Sequence, residues 1–278
     1  MKRISLVALL AALPLALASP AASVGKRSFH DAFGDVNCCT RDLTDVDVRN
    51  DDAGTITFDI HFDATYEGDD DDDLYVFLDT DRNPRTGERY GDLGVDFMIG
   101  AHVMPWMADA VTLNEHPTKL IHVTVTSKLI RIRLDRHLLD DTDGFRFKAA
   151  VWEVAQGNAN ADVAPDGGSW SFPLRIATRR LRPSLEVPSK PRAGRRLTAR
   201  LALPIGGTGR LLGSGRVLCS ASIRGAGLKP AFQGFAARRA VCTWKIPAGA
   251  HGKTIRGSVG VAVTSRARIS RQFSAVIG

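Results

Sequence analysis

Residues 74–100 read Leu-Tyr-Val-Phe-Leu-Asp-Thr-Asp-Arg-Asn-Pro-Arg-Thr-Gly-Glu-Arg-Tyr-Gly-Asp-Leu-Gly-Val-Asp-Phe-Met-Ile-Gly. Leu74 to Leu78 is a short, unbroken apolar run rich in aromatics, the pattern of a buried strand. Asp79-Thr80-Asp81-Arg82-Asn83-Pro84-Arg85-Thr86-Gly87 follows it. Acid and amide side chains at alternate positions of a turn point their oxygens toward one centre, which is how hard cations are held. The chain then re-enters an apolar strand, Val95 to Ile99, which carries Asp96. Two buried strands meeting at an oxygen-rich loop predict a cation-braced β-sandwich.

The same short-strand pattern extends outward in both directions. Upstream, Ile56, Phe58, Ile60 and Phe62 share one face of a strand, and Thr57, Asp59 and His61 share the other. Asn50 to Gly54 before it has turn chemistry. Downstream, Leu120–Thr126, Leu129–Leu134, Phe145–Val154 and Trp170–Leu174 read as strands, and Arg136–Leu139 as a single helical turn. Asp69 to Asp73 is a run of five carboxylates, read as a solvated loop that orders only against a cation or a basic surface. Short strands with Gly, Asp and Asn turns predict an all-β fold.

Charge divides the chain of 278 residues. Residues 29–176 hold 29 of the 30 acids with 13 Lys/Arg, a net charge of −16. Residues 177–278 hold one acid, Glu186, with 20 Lys/Arg, a net charge of +19. A single core rarely segregates charge this way, so we expect two β-sandwich domains in tandem, an acidic one over 29–176 and a basic one over 183–278. Prolines and charges over 177–190 make a stiff linker. Residues 1–22 have the basic start (Lys2, Arg3), apolar core and small-residue cleavage site of a secretory signal. The mature chain is therefore expected outside the cytoplasm, extracellular and secreted, with no membrane-spanning segment.

In an exported chain the four cysteines can oxidise. A bridge between the adjacent Cys38 and Cys39 would be strained. Cys219 and Cys242 fall on separate strand-like segments of the basic domain and are the favoured pair. Val217, Cys219, Ala221 and Ile223 share one face, and Ala240, Cys242, Trp244 and Ile246 share another, giving a pinned core. Cys38 and Cys39 are expected near the surface, free or intermolecular.

Three segments carry a family resemblance: Phe77 to Gly87, Gly94-Val95-Asp96-Phe97, and Asp162-Val163-Ala164-Pro165-Asp166-Gly167-Gly168-Ser169-Trp170. Over roughly 45–176 the chain resembles family-nine carbohydrate-binding modules and DOMON-type sandwiches of exported bacterial proteins. The resemblance implies a sandwich that binds sugar or haem, often with structural calcium. A sugar platform would draw on Trp106, Trp152 or Trp170, although Trp152, inside an apolar run, reads better as core. Haem would draw axial ligands from His61, His102, Met98 or Met104. Residues 183–278 look like a bacterial immunoglobulin-like domain.

The candidate metal ligands are Asp79, Asp81, Asn83 and Asp96, with calcium favoured over magnesium because it tolerates irregular geometry. The competing reading pairs these acids with Arg82, Arg85 and Arg89 of the same loop. No His-Glu-x-x-His, Gly-x-Ser-x-Gly, Cys-x-x-Cys or phosphate loop is present, so no enzyme is expected. The expected function is an exported, non-catalytic binding protein that recognises carbohydrate or another cell-surface ligand through its first domain. The alternative is a structural wall or matrix protein that acts through its acidic and basic domains, with no small ligand. The basic region attracts polyanions. Its charges are scattered along the strands, so no specific nucleic-acid site is expected.

Overall fold

The computed structural model describes residues 23–36, 41–63, 72–104, 107–153, 161–176, 178, 181–206, 210–265 and 267–278. Residues 1–22, expected to be a secretory signal, and Cys38, Cys39, Trp106 and Asp69 to Asp71 lie outside the described residues. The chain is all-β, as expected, and the regular elements among the described residues are strands and short 3-10 turns. No described helix is long and apolar enough to cross a membrane.

The first half builds two large sheets. One runs in the order β1 (Ser23–His30), β2 (Leu43–Asp51), β3 (Thr55–Phe62), β11 (Leu129–Asp135), β10 (His122–Thr126). The other runs β13 (Ala161–Ala164), β12 (Gly144–Glu153), β4 (Asp72–Asp79), β7 (Phe97–Met104), β8 (Met107–Leu113), β9 (His116–Pro117), with β14 (Trp170–Pro173) also paired to β12. The chain between β4 and β7, which pair directly, forms a separate hairpin of β5 (Glu88–Tyr90) and β6 (Leu93–Val95).

Alternation sets the faces. Val46, Val48, Ile56, Phe58 and Ile60 from the first sheet meet Leu74, Val76, Leu78, Phe145 and Phe147 from the second in one apolar cluster. Phe58 touches Phe145 and Phe147 with ring centroids 5.6 and 5.7 Å apart. Burying one such ring contributes roughly 2–3 kcal/mol.

The second half builds two four-stranded sheets. Their orders are β15 (Ser184–Glu186), β16 (Arg196–Ala202), β20 (Arg239–Lys245), β19 (Pro230–Ala236), and β18 (Ala226–Gly227), β17 (Arg216–Ile223), β21 (Thr254–Ala262), β22 (Arg268–Val276). The Cys219–Cys242 disulfide joins β17 to β20, and so one sheet to the other, as the alternation of both strands predicts. Trp244 is fully buried in the cluster between them.

Three features differ from the sequence reading. The first sheet begins with β1 at Ser23, ahead of residue 29: Phe29 points inward, while Lys26 pairs with Asp47 at 3.2 Å. Asp72 and Asp73, read as loop, are strand residues, because buried Arg41 neutralises Asp72 at 3.0 Å. Part of the expected linker, Ser184 to Glu186, is the strand β15, held by Leu185 opposite Leu201.

The two halves touch through charge. Arg210 Nη1 donates to Asp51 Oδ2 at 2.6 Å, and Arg238 pairs with Asp135 at 3.4 Å. Arg136, 1 % exposed, donates from Nη2 to the Val263 carbonyl at 2.6 Å.

Candidate functional site

The loop after β4 is built by its own hydrogen bonds. Leu78 stands opposite Phe97, and the Asp96 amide donates to the Leu78 carbonyl at 2.9 Å, so Asp79 and Asp96 lie side by side. Asp96 Oδ2 accepts from the Thr80 amide (2.8 Å), the Thr80 hydroxyl (2.9 Å) and the Asp81 amide (3.2 Å). Asp81 accepts from the Asn83 amide at 2.9 Å and from the Thr86 hydroxyl at 2.8 Å. The loop lies flat on the β6 backbone. A Cβ at Gly87, where φ is +68°, would come within 2.2 Å of the Val95 carbonyl oxygen, and one at Gly94 within 2.0 Å of the Thr86 carbonyl oxygen. Only glycine permits that approach.

Asp79 is wholly buried. Its Oδ1 accepts from the Asn83 amide at 3.0 Å, but its Oδ2 is buried with no hydrogen bond. The nearest cation is Arg146 Nη1, 3.7 Å from Oδ2, which is too far for a hydrogen bond. Arg146 stands opposite Asp79 on β12 and spends its donors on Asp92 and on Ser169 Oγ (2.6 Å). Burial pushes the Asp79 carboxyl above its ordinary value, against the pull of the Asn83 and Arg82 amides and of Arg146.

Asp79, Asp81 and Asp96 each offer a carboxylate oxygen within 4.8 Å of the others. Three of the four sequence-derived ligands thus converge. Asn83 works mainly through its backbone amide, and its side-chain oxygen accepts from the Arg85 amide at 3.2 Å. Among the described residues no ion pair joins Arg82, Arg85 or Arg89 to these acids; Arg82 reaches instead toward the Asp143 carbonyl at 3.4 Å. The sequence reading missed Thr80, Thr86 and Arg146. The two hydroxyls sit in the quoted loop and were legible as turn-forming groups. Arg146 arrives through β4–β12 register and has no local signal.

A second feature lies on the face of the larger sheet turned away from the main core. Tyr75, Phe77 and Trp152 alternate outward from Leu74, Val76 and Val151. Tyr75 and Trp152 are half-buried, with centroids 4.5 Å apart, and Phe77 stacks on Tyr90 at 4.1 Å. Tyr75 stands opposite Gly100, where a Cβ would lie 3.4 Å from its ring and 2.7 Å from Thr112 Oγ1. Asp73, opposite both Trp152 and His102, lies 3.0 Å from His102 Nδ1. Burial, and then the charges of Asp73 and Glu115, raise the Tyr75 phenol above its ordinary value.

Trp152, expected in the core, packs half-buried against a second, smaller apolar cluster of Phe77, Leu93, Val95 and Ala150, formed where the β5–β6 hairpin meets the outer face of the sheet. Arg146 and Lys148 share its face of β12, whereas Phe145, Phe147, Ala149 and Val151 form the face turned to the main core. Trp170 packs against the main core, beside Phe29 (5.3 Å) and Phe147 (5.5 Å). Of the residues considered for haem, Met98, His102 and Met104 stand on β7, and His61 stands on β3 in the other sheet. No protein-family model matches this chain, and no curated protein matches it.

Proposed function

We propose that the chain is an exported, non-catalytic, carbohydrate-binding protein made of two β-sandwich units, with the sugar received on the outer face of the seven-stranded sheet. The observation that carries this reading is the half-buried Tyr75–Trp152 pair on a sheet face that faces away from the main core. Aromatic rings offer an apolar face, and Tyr adds a polar tip. Asp73, His102 and Thr112 beside them supply the donors and acceptors that hydroxyl recognition needs. A calcium ion held by Asp79, Asp81 and Asp96 belongs to the same reading, because it would satisfy the buried Asp79 Oδ2 and stiffen the loop next to that face.

A second reading, a structural wall or matrix protein, is favoured by the Arg210–Asp51 and Arg238–Asp135 pairs, in which basic and acidic regions meet. A glycan array with the full chain separates the two, followed by titration of the best glycan into Tyr75→Ala and Trp152→Ala. The binding reading expects a retained glycan and at least about a tenfold loss in each variant, as for truncation of an aromatic anchor. No retained glycan, or full affinity in both variants, would favour the structural reading.

A further inference from the structure

Away from the quoted loop, five carboxylates converge where an edge of one large sheet meets an edge of the other. Asp31 follows β1, Asp35 lies in the next turn, and Asp42 precedes β2. Asp162 is on β13, and Asp166 follows it. Asp35, Asp42 and Asp162 each offer an oxygen within 4.8 Å of the others, and so do Asp31, Asp35 and Asp166. The two groups share Asp35.

Proximity alone is common among exposed acids, but here two of the five are buried: Asp42 is 3 % exposed and Asp162 4 %. Asp42 Oδ2 accepts from the Gly34 amide at 2.7 Å, while its Oδ1 is buried with no partner. That unpartnered oxygen belongs to a side chain converging on Asp35 and Asp162. Asp162 Oδ2 accepts from the Leu43 amide, which fixes β13 against the start of β2. Asp31 Oδ2 is likewise buried without a hydrogen bond. Among the described residues no Lys, Arg or His forms an ion pair with any of the five: Arg41, next to Asp42 in the chain, pairs with Asp72 at 3.0 Å, and Lys148 donates to the Pro165 carbonyl at 2.9 Å.

Buried carboxylates this close repel one another unless a cation or shared protons neutralise them. A hard divalent ion with oxygen ligands neutralises such a cluster and gives the buried, unpartnered Asp42 Oδ1 a partner. The quoted loop differs in having Arg146 beside its buried acid.

We propose that Asp35, Asp42 and Asp162 hold a calcium ion that clamps β13 to the start of β2, with Asp31 and Asp166 adding negative charge at its rim. This site is separate from the Asp79–Asp81–Asp96 loop and does not depend on it.

Isothermal titration of calcium into the full chain, stripped with chelator at pH 7.5, tests the proposal. Asp162→Asn keeps an oxygen for the Leu43 amide and removes a charge; Asp166→Asn changes an exposed rim residue with little risk to folding. Each should weaken one class of sites by about tenfold or more. Asp81→Asn should leave that class unchanged and remove any calcium held by the quoted loop. Calcium binding that is absent from the wild type, or unchanged in both Asp162→Asn and Asp166→Asn, overturns the proposal. If only Asp81→Asn has no effect, the quoted-loop site fails and this one stands.

Discussion

Raising the pH of the calcium-free protein should weaken its fold through Asp162. A carboxyl whose folded pKa lies above its unfolded value binds its proton more tightly in the folded state. Its contribution is complete below the unfolded value and is lost as pH rises through the folded one. For Asp162 these values are 3.8 and about 6. The difference of about 2 units corresponds to about 3 kcal/mol at low pH, since one unit is about 1.4 kcal/mol. About 1.4 kcal/mol of that remains at pH 5 and almost none at pH 8. The acidic groups facing Asp162 are Asp35, Asp42 and Asp166, so nothing in that set reverses the sign. Asp31 shifts the same way, to about 7, but its partial exposure lets solvent screen the effect. Asp47 and Asp59 have lowered values and act only at the acid end, below about pH 4. Urea unfolding in chelator at pH 5, 6, 7 and 8 measures the slope, and Asp162→Asn isolates it by removing the ionisation. The wild type should lose about 1–2 kcal/mol more than the variant between pH 5 and 8. Millimolar calcium should restore the loss by binding the folded state alone. Equal slopes in wild type and variant would refute the electrostatic account of this cluster.

Two further outcomes follow from the packing. Replacing Cys219 and Cys242 together by Ala should lower the urea stability of the full chain by about 3 kcal/mol, because the bridge closes a separation of 23 residues in the unfolded chain; an unchanged midpoint would count against its role in pinning the two sheets. Burial works against the Asp59 carboxylate, yet hydrogen bonds from Arg131 and Arg49 hold it below its ordinary value, so Asp59→Ala should cost roughly 2 kcal/mol in the same assay. Arg49→Ala and Arg131→Ala should cost less, since both guanidiniums reach solvent.

What could be read from the chain depended on how far apart the partners lie. The strands were legible because alternation acts over a few residues: Ile56, Phe58 and Ile60 announce their face unaided. The Asp79–Asp81–Asp96 group was legible because one loop and one hairpin bring its members together. The disulfide was legible because each cysteine sits on the inward face of its own strand. The second acidic cluster was not, since Leu43 and Asp162, which fix it, are 119 positions apart and meet only when one sheet edge lies against the other. Asp42 looks like any other acid in a region that holds 29 of them, and the segment from Asp162 to Trp170, though distinctive, does not say which residues it meets. Trp152 was legible as an apolar packing residue, but its neighbours were not. Phe145, Phe147, Ala149 and Val151 form one face of β12, and Arg146, Lys148, Ala150 and Trp152 the other, so alternation marks the first as the inward face. Phe58 against Phe145 closes that face, whereas the smaller cluster around Trp152 includes Leu93 and Val95 of the hairpin, which nothing within β12 specifies. A strand that is apolar on both faces has more apolar surface than one core can bury, and the surplus must meet something else. In β4 the surplus is Tyr75 and Phe77: Leu93 and Val95 of the β5–β6 hairpin bury Phe77, and the half-buried Tyr75–Trp152 pair is what remains, which is why the ligand question attaches to it.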